Sequence, residues 1–186
     1  MAFLKPGGVL GFLGCVALSF LTGTQAMAQG KVRDYQLEAV YLFNFTQFVE
    51  WPAPAASGPK PFAICILGDD PFGKYLDDTV RGETLSNRPL TVTRYHRVEE
   101  AADCQVLFIS RSESPQLEAI VQHLHGQTVL TVSDADNFVQ HGGTIGFVPQ
   151  DGRIRLRINL QAAKAAGLTI SSKLLRVAET VGAEKE

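Results

Sequence analysis

The sequence predicts an α/β fold: a mostly parallel sheet flanked by helices on both faces, with a C-terminal antiparallel hairpin at the sheet edge. Short apolar runs without polar alternation are typical of strands buried on both faces, as in parallel sheets. These runs alternate along the chain with segments of helical periodicity, which indicates parallel strands joined by crossover helices. Near the C-terminus, two strand-like segments are separated by Gln150-Asp151-Gly152, a sequence typical of a hairpin turn.

The first element of the predicted domain is an amphipathic helix over residues 34–51, whose apolar side chains recur at spacings of three and four. Trp51 precedes Pro52, and a residue before proline disfavours the helical conformation, so the helix is expected to end there. Residues 53–60 are expected to form a flexible connector. The face predicted to meet the core consists of Leu37, Val40, Tyr41, Asn44, Phe45, Phe48 and Val49.

After this connector, strands and helices are expected to alternate up to the hairpin and the closing helices. Gly167 is expected to separate the two closing helices. The predicted strands are residues 62–67, 90–95, 106–109, 128–132, 144–148 and 153–159. The predicted helices are residues 71–80, 115–124, 160–166 and 172–181, with a short helical turn at 136–140.

Residues 1–28 have the features of a secretory signal peptide. Lys5 gives a positive start, residues 9–21 are mainly apolar, and Ala26-Met27-Ala28 is a small-x-small site, so cleavage is expected after Ala28. The apolar run is shorter than the roughly 20 residues that a membrane-spanning helix needs. A lipoprotein signal ending at Cys15 is the alternative, but the apolar run continues beyond this cysteine. We therefore expect an exported protein with one domain, residues 29–186.

The composition gives no general reason to expect a nucleic acid or an anionic membrane surface as partner. The chain has 186 residues and a net charge of −2, and removal of the signal peptide with its one lysine changes the charge to −3. Cys65 and Cys104 remain, and an even count in an oxidising compartment favours one disulfide between them. No C-x-x-C spacing occurs, which argues against a thiol–disulfide oxidoreductase.

Asp69 and Asp70 follow the first strand of the predicted sheet, where two adjacent carboxylates can hold a divalent cation. A helix cap is the better interpretation, because Asp70 followed by Pro71 is typical of a helix start. The third acid that such a metal pocket needs, after strand 106–109, is replaced by Ser110. We therefore expect no metal site.

The histidines do not indicate catalysis. His123 and His125 are two residues apart, so on a helix they do not share a face and make a poor metal pair. No sequence signature joins a histidine to a serine or cysteine nucleophile. An exported hydrolase is therefore the least favoured class, and neither a catalytic residue nor a cofactor is expected.

Arg153, Arg155 and Arg157 alternate with aliphatic residues, so a strand would place their three guanidinium groups on one face. Such a row is either a docking strip for an acidic partner surface or an anionic ligand, or the solvated face of an edge strand. Phe43 lies outside the main apolar row of the first helix, and as an exposed aromatic it is a second interface candidate.

A small-ligand site is the alternative to a protein interface. Asp69, Ser110 and Ser133 each follow a predicted strand, and ligands often bind in the crevice at the carboxyl ends of parallel strands. These three residues therefore predict a ligand crevice, and a periplasmic ligand-binding sensor is the function that such a crevice would serve.

Several sequence blocks occur in a specific order and spacing. By these blocks, none of which is diagnostic alone, the expected mature chain resembles the YfiR family of periplasmic proteins over nearly all of its length. The blocks are Tyr41-Leu42-Phe43-Asn44-Phe45, Phe48-Val49-Glu50-Trp51-Pro52, Ile64-Cys65-Ile66-Leu67-Gly68-Asp69-Asp70-Pro71-Phe72-Gly73, Cys104-Gln105-Val106-Leu107-Phe108-Ile109-Ser110, and residues 129–133, 142–147, 158–160 and 167–175.

The resemblance implies a non-enzymatic periplasmic regulator. YfiR-like proteins repress an inner-membrane diguanylate cyclase through its periplasmic region, which lowers cyclic-di-GMP and biofilm-type output. An OmpA-like lipoprotein of the outer membrane can sequester the repressor, and family members form homodimers.

The resemblance also bears on single residues. Cys65 and Cys104 match one cysteine pair of the family, whose members use cysteine oxidation in regulating or stabilising the fold. Some members have a second pair in the segment that here contains Val139 and Gly146, so a switch based on two disulfides does not transfer to this chain. Arg157 replaces a residue that is often acidic in relatives, and contacts of that strip with partners need not transfer either.

Overall fold

The computed structural model describes residues 23–56 and 59–182. The chain divides into two compact units, residues 1–33 and 34–186. Most of the expected signal peptide, including Cys15, lies outside the described residues. Only the start of a helix is described for the first unit, and the fold presented below is that of the second unit.

The first helix, α1, spans Gly23–Phe48. It ends earlier than predicted, and Val49–Glu50 forms a short strand, β1. The predicted core face is partly wrong: Leu37 and Val40 are 44% and 43% exposed. The sheet instead packs against a neighbouring row of the helix, in which Ala39, Leu42 and Phe45 are fully buried. This row also includes a buried acid, Glu38. The helix has two overlapping apolar rows, and tertiary packing selects one of them.

The strands and helices alternate largely as predicted. The later strands are β2 Phe62–Leu67, β3 Thr84–Leu85, β4 Arg88–Tyr95, β5 Val106–Ile109, β6 Leu130–Ser133, β7 Ile145–Gln150, β8 Arg153–Asn159, β9 Thr169–Ile170 and β10 Ala178–Val181. The later α-helices are α2 Ala53–Ala56, α3 Lys74–Val80, α4 Leu117–Leu124, α5 Leu160–Ala165 and α6 Ser172–Leu175, with 3₁₀ segments at Val98–Ala101 and Arg111–Gln116. The predicted helical turn at 136–140 consists of turns.

Within the described residues, the main sheet has eight strands in the order β10-β8-β7-β6-β5-β2-β4-β3. The central strands β4, β2, β5, β6 and β7 are parallel, and β7 and β8 form the predicted antiparallel hairpin. Separately, β1 pairs with β9 in an antiparallel ladder. The predicted mostly parallel α/β fold with a C-terminal antiparallel pair is confirmed.

The last part of the chain differs from the predicted helix over residues 172–181. Helix α6 ends at Leu175, and Ala178–Val181 forms strand β10, which pairs with β8 in parallel. The hairpin is therefore next to the sheet edge, and β10 forms the edge itself. Strand β8 supplies hydrogen-bonding partners for the backbone of this segment, an effect that local helix propensity does not include.

Two hydrophobic clusters cover opposite faces of the sheet, because successive side chains of a strand point to opposite sides. In β2, Phe62, Ile64 and Ile66 belong to the first cluster, which also contains the buried row of α1. Cys65 and Leu67 belong to the second cluster, which contains the buried side chains of α4. Among the described residues, none of the helices combines the length and the hydropathy of a membrane-spanning segment.

The first residues of the predicted connector after α1 form a helix rather than a flexible segment. Residues 53–56 form α2, and the buried side chain of Arg88 holds the connector from the first residues of β4. Its guanidinium donates hydrogen bonds to the carbonyl oxygens of Ala55 at 2.8 Å, Lys60 at 2.7 Å and Pro61 at 2.9 Å. A buried cation with several carbonyl acceptors fixes this segment against the sheet.

Candidate functional site

The predicted disulfide between Cys65 and Cys104 is present, with the two Cα atoms 6.0 Å apart. Cys65 lies in the central strand β2, and Cys104 lies just before β5, the neighbouring strand. Both side chains are buried in the second hydrophobic cluster, at 0% and 4% exposure. The bond therefore joins the start of β5 to its partner strand inside the core, where solvent reductants do not reach it in the folded state.

Val139 and Gly146 lie in the segment where the resemblance implies a second cysteine pair in some relatives, and these two residues are close to each other. A Cβ atom added at Gly146 would lie 3.4 Å from a γ-carbon of Val139. A γ-carbon of valine occupies the place that a cysteine sulfur would take. Val139 and Gly146 are therefore neighbours in the fold.

The three arginines of the predicted strip, Arg153, Arg155 and Arg157, have different surroundings in the structure. Arg157 forms an ion pair with Glu179 of β10, at 2.9 Å between Nη2 and Oε2. It also lines a cleft of about 380 Å³ between β7 and residues 135–140. Arg153 and Arg155 are exposed, and neither forms an ion pair with any residue of the described chain. Two of the three charges thus remain available to an outside partner.

The strip also lies beside an open strand edge. Strand β10 pairs with β8 only from Leu156 to Asn159, so residues 153–155 have no strand partner on their outer side within the described chain. An open edge offers backbone donors and acceptors to an extended segment of another protein. The combination of two unpaired cations and this edge suits an acidic partner segment.

Phe43 is not the exposed aromatic that the sequence predicts. It is half-buried and packs against the first hydrophobic cluster. Within residues 34–48 of α1, the large apolar side chains that are exposed are Leu37 and Val40 instead. The difference follows from the rotation of the helix about its axis relative to the predicted face.

Asp69, Ser110 and Ser133 lie at the carboxyl ends of the adjacent strands β2, β5 and β6. Ser133 is fully buried, and its hydroxyl donates to the carbonyl oxygen of Ile109 at 2.6 Å and accepts from the Ala135 amide at 3.0 Å. Ser110 is also buried. Its hydroxyl caps the 3₁₀ segment that follows β5. The hydroxyl groups of both serines therefore make hydrogen bonds within the protein.

The 3₁₀ segment Arg111–Gln116 occupies space above the end of β2. Gly68 has a φ of +89°, and a Cβ atom there would collide with the side chains of Ser112 and Glu113. The Ser112 hydroxyl accepts a hydrogen bond from the Asp69 amide at 3.0 Å. Asp69 itself is exposed, and this close packing takes up part of the space where the sequence predicts a ligand crevice.

Asp70 caps a turn rather than the helix itself. Its Oδ1 accepts hydrogen bonds from the amides of Phe72 at 2.7 Å and Gly73 at 3.2 Å. Helix α3 begins only at Lys74. The other carboxylate oxygen forms an ion pair with Arg94 at 2.8 Å, and Arg94 also lowers the pKa of Asp77 by hydrogen bonding.

A group of ionisable residues with two buried acids lies at the carboxyl end of the sheet, between α1 and the ends of β5 and β6. We call it the acid cluster; it consists of the buried acids Glu38 and Asp134, the partly buried Tyr35 and the half-exposed Arg111. Glu38 is 5% exposed and Asp134 is 9% exposed. The hydroxyl of Tyr35 donates a hydrogen bond to Asp134 Oδ2 at 3.1 Å. Arg111 Nη2 donates to the Asp134 carbonyl oxygen at 2.6 Å, and its Nε lies 3.8 Å from Asp134 Oδ2.

The electrostatics of the acid cluster are unusual. Burial raises the pKa of Glu38 to about 9, with further contributions from the carboxylates of Asp134 and Asp34, while Arg111 opposes the shift. Burial and the neighbouring Asp134 raise the pKa of Tyr35 to about 12. Within the described structure, Glu38 Oε2 and Asp134 Oδ1 are buried without a hydrogen-bond partner. At neutral pH the cluster therefore holds a protonated Glu38.

The acid cluster has no arrangement suited to metal binding: among the described residues, no group of three histidine, cysteine or acidic side chains is placed to hold a metal ion. Its chemical property is the retention of a proton on a buried carboxyl group. Groups with strongly shifted pKa values often mark functional sites.

Sequence reasoning did not identify the acid cluster. Tyr35, Glu38, Leu42, Phe45 and Val49 recur at spacings of three and four, so they form a second row beside the predicted one. A glutamate inside an otherwise apolar row was the available signal. Asp134 and Arg111 follow β6 and β5, and only the fold shows that they meet α1.

The described residues form an α/β domain that exposes Arg153 and Arg155 beside an open part of strand β8. The chain belongs to the YfiR/HmsC-like family, whose model matches residues 35–179. This family is regulatory, non-catalytic and periplasmic, and membership supports a regulator of cyclic-di-GMP signalling in general.

Two solved structures match the chain at low sequence identity. A conserved domain protein from Vibrio cholerae O1 biovar El Tor has 13% identity and a TM-score of 0.47, with 63% of this chain and 54% of that chain covered. The ABC domain from Streptococcus pneumoniae, solved in complex with L-Trp, has 11% identity and a TM-score of 0.50, with 82% and 60% covered. The chain thus spans less than two thirds of either protein. No curated protein matches it.

Proposed function

We propose that this protein is a periplasmic repressor that binds the periplasmic region of an inner-membrane diguanylate cyclase and lowers its cyclic-di-GMP output. The observation that carries the proposal is the family match, which extends from the buried part of α1 into β10. The expected export signal, with cleavage after Ala28, delivers the domain to the compartment where such a cyclase exposes its sensor region.

The partner surface is the part of β8 that contains Arg153 and Arg155. Both guanidinium groups are exposed and lack an ion pair in the described structure, and the strand edge beside them is open. A partner with an acidic extended segment would satisfy the charges and the backbone groups together. Arg157 contributes less, because Glu179 already neutralises it.

Repression requires that the protein bind one conformation of the cyclase better than another, since a partner shifts an equilibrium only by its differential affinity. A hundredfold preference for the inactive conformation corresponds to about 2.7 kcal/mol. Two arginines paired with carboxylates in a desolvated interface can supply a difference of this size.

Two further partners belong to the proposal. An OmpA-like lipoprotein of the outer membrane would relieve repression by sequestering the protein, and a homodimer would present two copies of the strip. The disulfide between Cys65 and Cys104 would maintain the fold that carries the strip, so its loss would weaken repression without changing a contact residue.

The first test is cyclic-di-GMP in cells with and without the gene, together with capture of membrane proteins by the purified protein. A rise on deletion, with a cyclase among the captured proteins, is expected. An unchanged level together with no captured membrane protein would refute the proposal.

The second test uses charge reversal in the strip. Arg155→Glu is expected to raise cyclic-di-GMP toward the deletion level while the melting temperature stays unchanged. Arg81→Glu is the matched control, because Arg81 is also exposed but directly follows α3, where it forms a local pair with Asp78. Equal effects of the two reversals would refute the assignment of the surface.

The alternative function, a periplasmic small-ligand sensor at Asp69, Ser110 and Ser133, has less support. The hydroxyls of both serines make hydrogen bonds within the protein. A ligand-dependent rise in melting temperature that is lost on mutation of Asp69 would favour the sensor over the repressor.

A further inference from the structure

The acid cluster joins parts of the chain that are distant in sequence. Tyr35 and Glu38 come from α1, Arg111 begins the segment after β5, and Asp134 directly follows β6. Residues Asp34–Phe48 of α1 pack on the sheet. This packing places the buried carboxyl group of Glu38 near the buried carboxyl group of Asp134. Helix packing at this end of the sheet cannot occur without burying both carboxyl groups.

The charges around Glu38 do not compensate an ionised carboxylate. From its own helix it faces Asp34 and Tyr35, and from the sheet it faces Asp134 and Arg111. The guanidinium of Arg111 is directed to the loop after β6: it donates to the Asp134 carbonyl oxygen at 2.6 Å and to Asp136 Oδ1 at 3.4 Å.

The hydrogen bonds lead to the same conclusion. Tyr35 donates to Asp134, and Glu38 Oε2 has no hydrogen-bond partner in the described structure. A buried carboxylate without a donor is strongly unfavourable, whereas a protonated carboxyl group is tolerated. The folded arrangement therefore needs a proton on Glu38.

We propose that the acid cluster makes the docking of the Asp34–Phe48 part of α1 onto the sheet proton-dependent, so that acidification favours the docked conformation. When this part of the helix separates from the sheet, Glu38 enters water and can ionise. The docked conformation keeps the proton, and the released conformation loses it. Docking and proton binding are thereby linked.

The sign and size of the linkage follow from the two states. The pKa of Glu38 is about 9 in the docked conformation against 4.5 for an ordinary glutamate. A raised pKa in the docked state means that the stabilisation is fully present below about pH 4.5 and is lost as the pH rises toward 9. Between these values, the docking equilibrium is expected to weaken about tenfold for each pH unit.

The consequence for regulation rests on the proposed function. A periplasmic repressor whose first helix undocks as the pH rises would change its affinity for the partner with external pH. The physical proposal itself concerns the isolated protein and is tested without a partner.

The experiment is hydrogen exchange of the purified, oxidised mature protein at pH 5.5, 6.5 and 7.5, with peptide resolution by mass spectrometry. After correction for the intrinsic exchange rate, the protection of residues 34–48 is expected to fall about tenfold per pH unit in the wild type. In Glu38→Gln, which keeps the shape but cannot ionise, it is expected to be independent of pH. Glu118→Gln, at an exposed position of α4, is the matched control and should keep the wild-type slope.

Three results would overturn the proposal. One is a pH-independent protection in the wild type, and another is a wild-type slope in Glu38→Gln. The third is an equal loss of protection in the amides of β5, because this would assign the effect to unfolding of the whole domain. If Glu38→Gln does not fold, Asp134→Asn serves instead, and it should increase protection at pH 7.5 by removing the repelling carboxylate; a decrease would count against the proposal.

A cellular measurement separates this proposal from the proposed function. Cyclic-di-GMP is compared at external pH 5.5 and 7.5 in strains that carry the wild type, Glu38→Gln or no gene. If deletion has no effect at either pH, the repressor function fails while the exchange result stands. If deletion raises cyclic-di-GMP but exchange shows no pH dependence, the linkage fails and the repressor function stands.

Discussion

Removal of the disulfide between Cys65 and Cys104 is expected to reduce the free energy of unfolding by about 4 kcal/mol. The two residues are 39 positions apart, and the chain-entropy model for a cross-link of this loop length gives that magnitude. Because both cysteines are buried in the second cluster, Cys→Ala replacements also remove a small amount of packing. The entropic contribution is expected to be the larger one.

The assay is urea denaturation of the wild type, each single Cys→Ala variant and the double variant under oxidising conditions. With a denaturant slope of about 2 kcal/mol per molar urea, the midpoint is expected to fall by about 2 M. Either single replacement already breaks the bond, so all three variants should be destabilised to a similar extent. Reduction of the wild type should produce a similar shift, since it opens the same loop.

Two results would refute this reasoning. A loss of less than about 1 kcal/mol in the double variant would mean that the bond does not constrain the unfolded chain as the loop-entropy model requires. Additive effects of the two single replacements would mean that the cysteines contribute through separate packing rather than through the bond that joins them.

The remaining predictions concern contacts between particular residues of the fold. Val139→Cys combined with Gly146→Cys should form a second disulfide, because the two positions are in contact, and should add about 2 kcal/mol for this short loop; free thiols in an oxidised sample would contradict this. Arg88→Met should cost about 3 kcal/mol in urea denaturation, because the carbonyl oxygens of Ala55, Lys60 and Pro61 lose their donor; an unchanged midpoint would show that Arg88 does not hold the connector. Gly143→Ala should lower stability by about 1–3 kcal/mol, because the new methyl group would overlap the buried ring of Phe138; an unchanged melting temperature would show that the ring moves aside without cost.

Elements with strong local signals were predictable. The strand at Val106–Ile109 and the strand at Arg153–Asn159 have the bounds that the sequence predicts, and the disulfide between Cys65 and Cys104 is present. The polar residues on either side of an apolar run mark where the strand begins and ends. The alternation of side chains along a strand depends only on the geometry of the backbone.

Elements that depend on contacts with distant parts of the same chain were not predictable. Residues 178–181 have no strong strand pattern and become a strand through pairing with β8, which also brings Glu179 to Arg157. The rotation of α1 had two solutions, and the sequence favoured the one that would bury Leu37 and Val40. Packing on the sheet buries Ala39 and Glu38 instead.

The sequence by itself determined the α/β class, the order of the central strands and helices, the cysteine pair and the family, because each depends on local pattern or on motifs in order. Only the tertiary structure decided which face of α1 is buried and which arginines remain unpaired. It also decided that Glu38 and Asp134 meet in the core. These features depend on contacts between residues far apart in the chain, and the energy of a buried carboxyl group is set by neighbours that only the folded chain brings together.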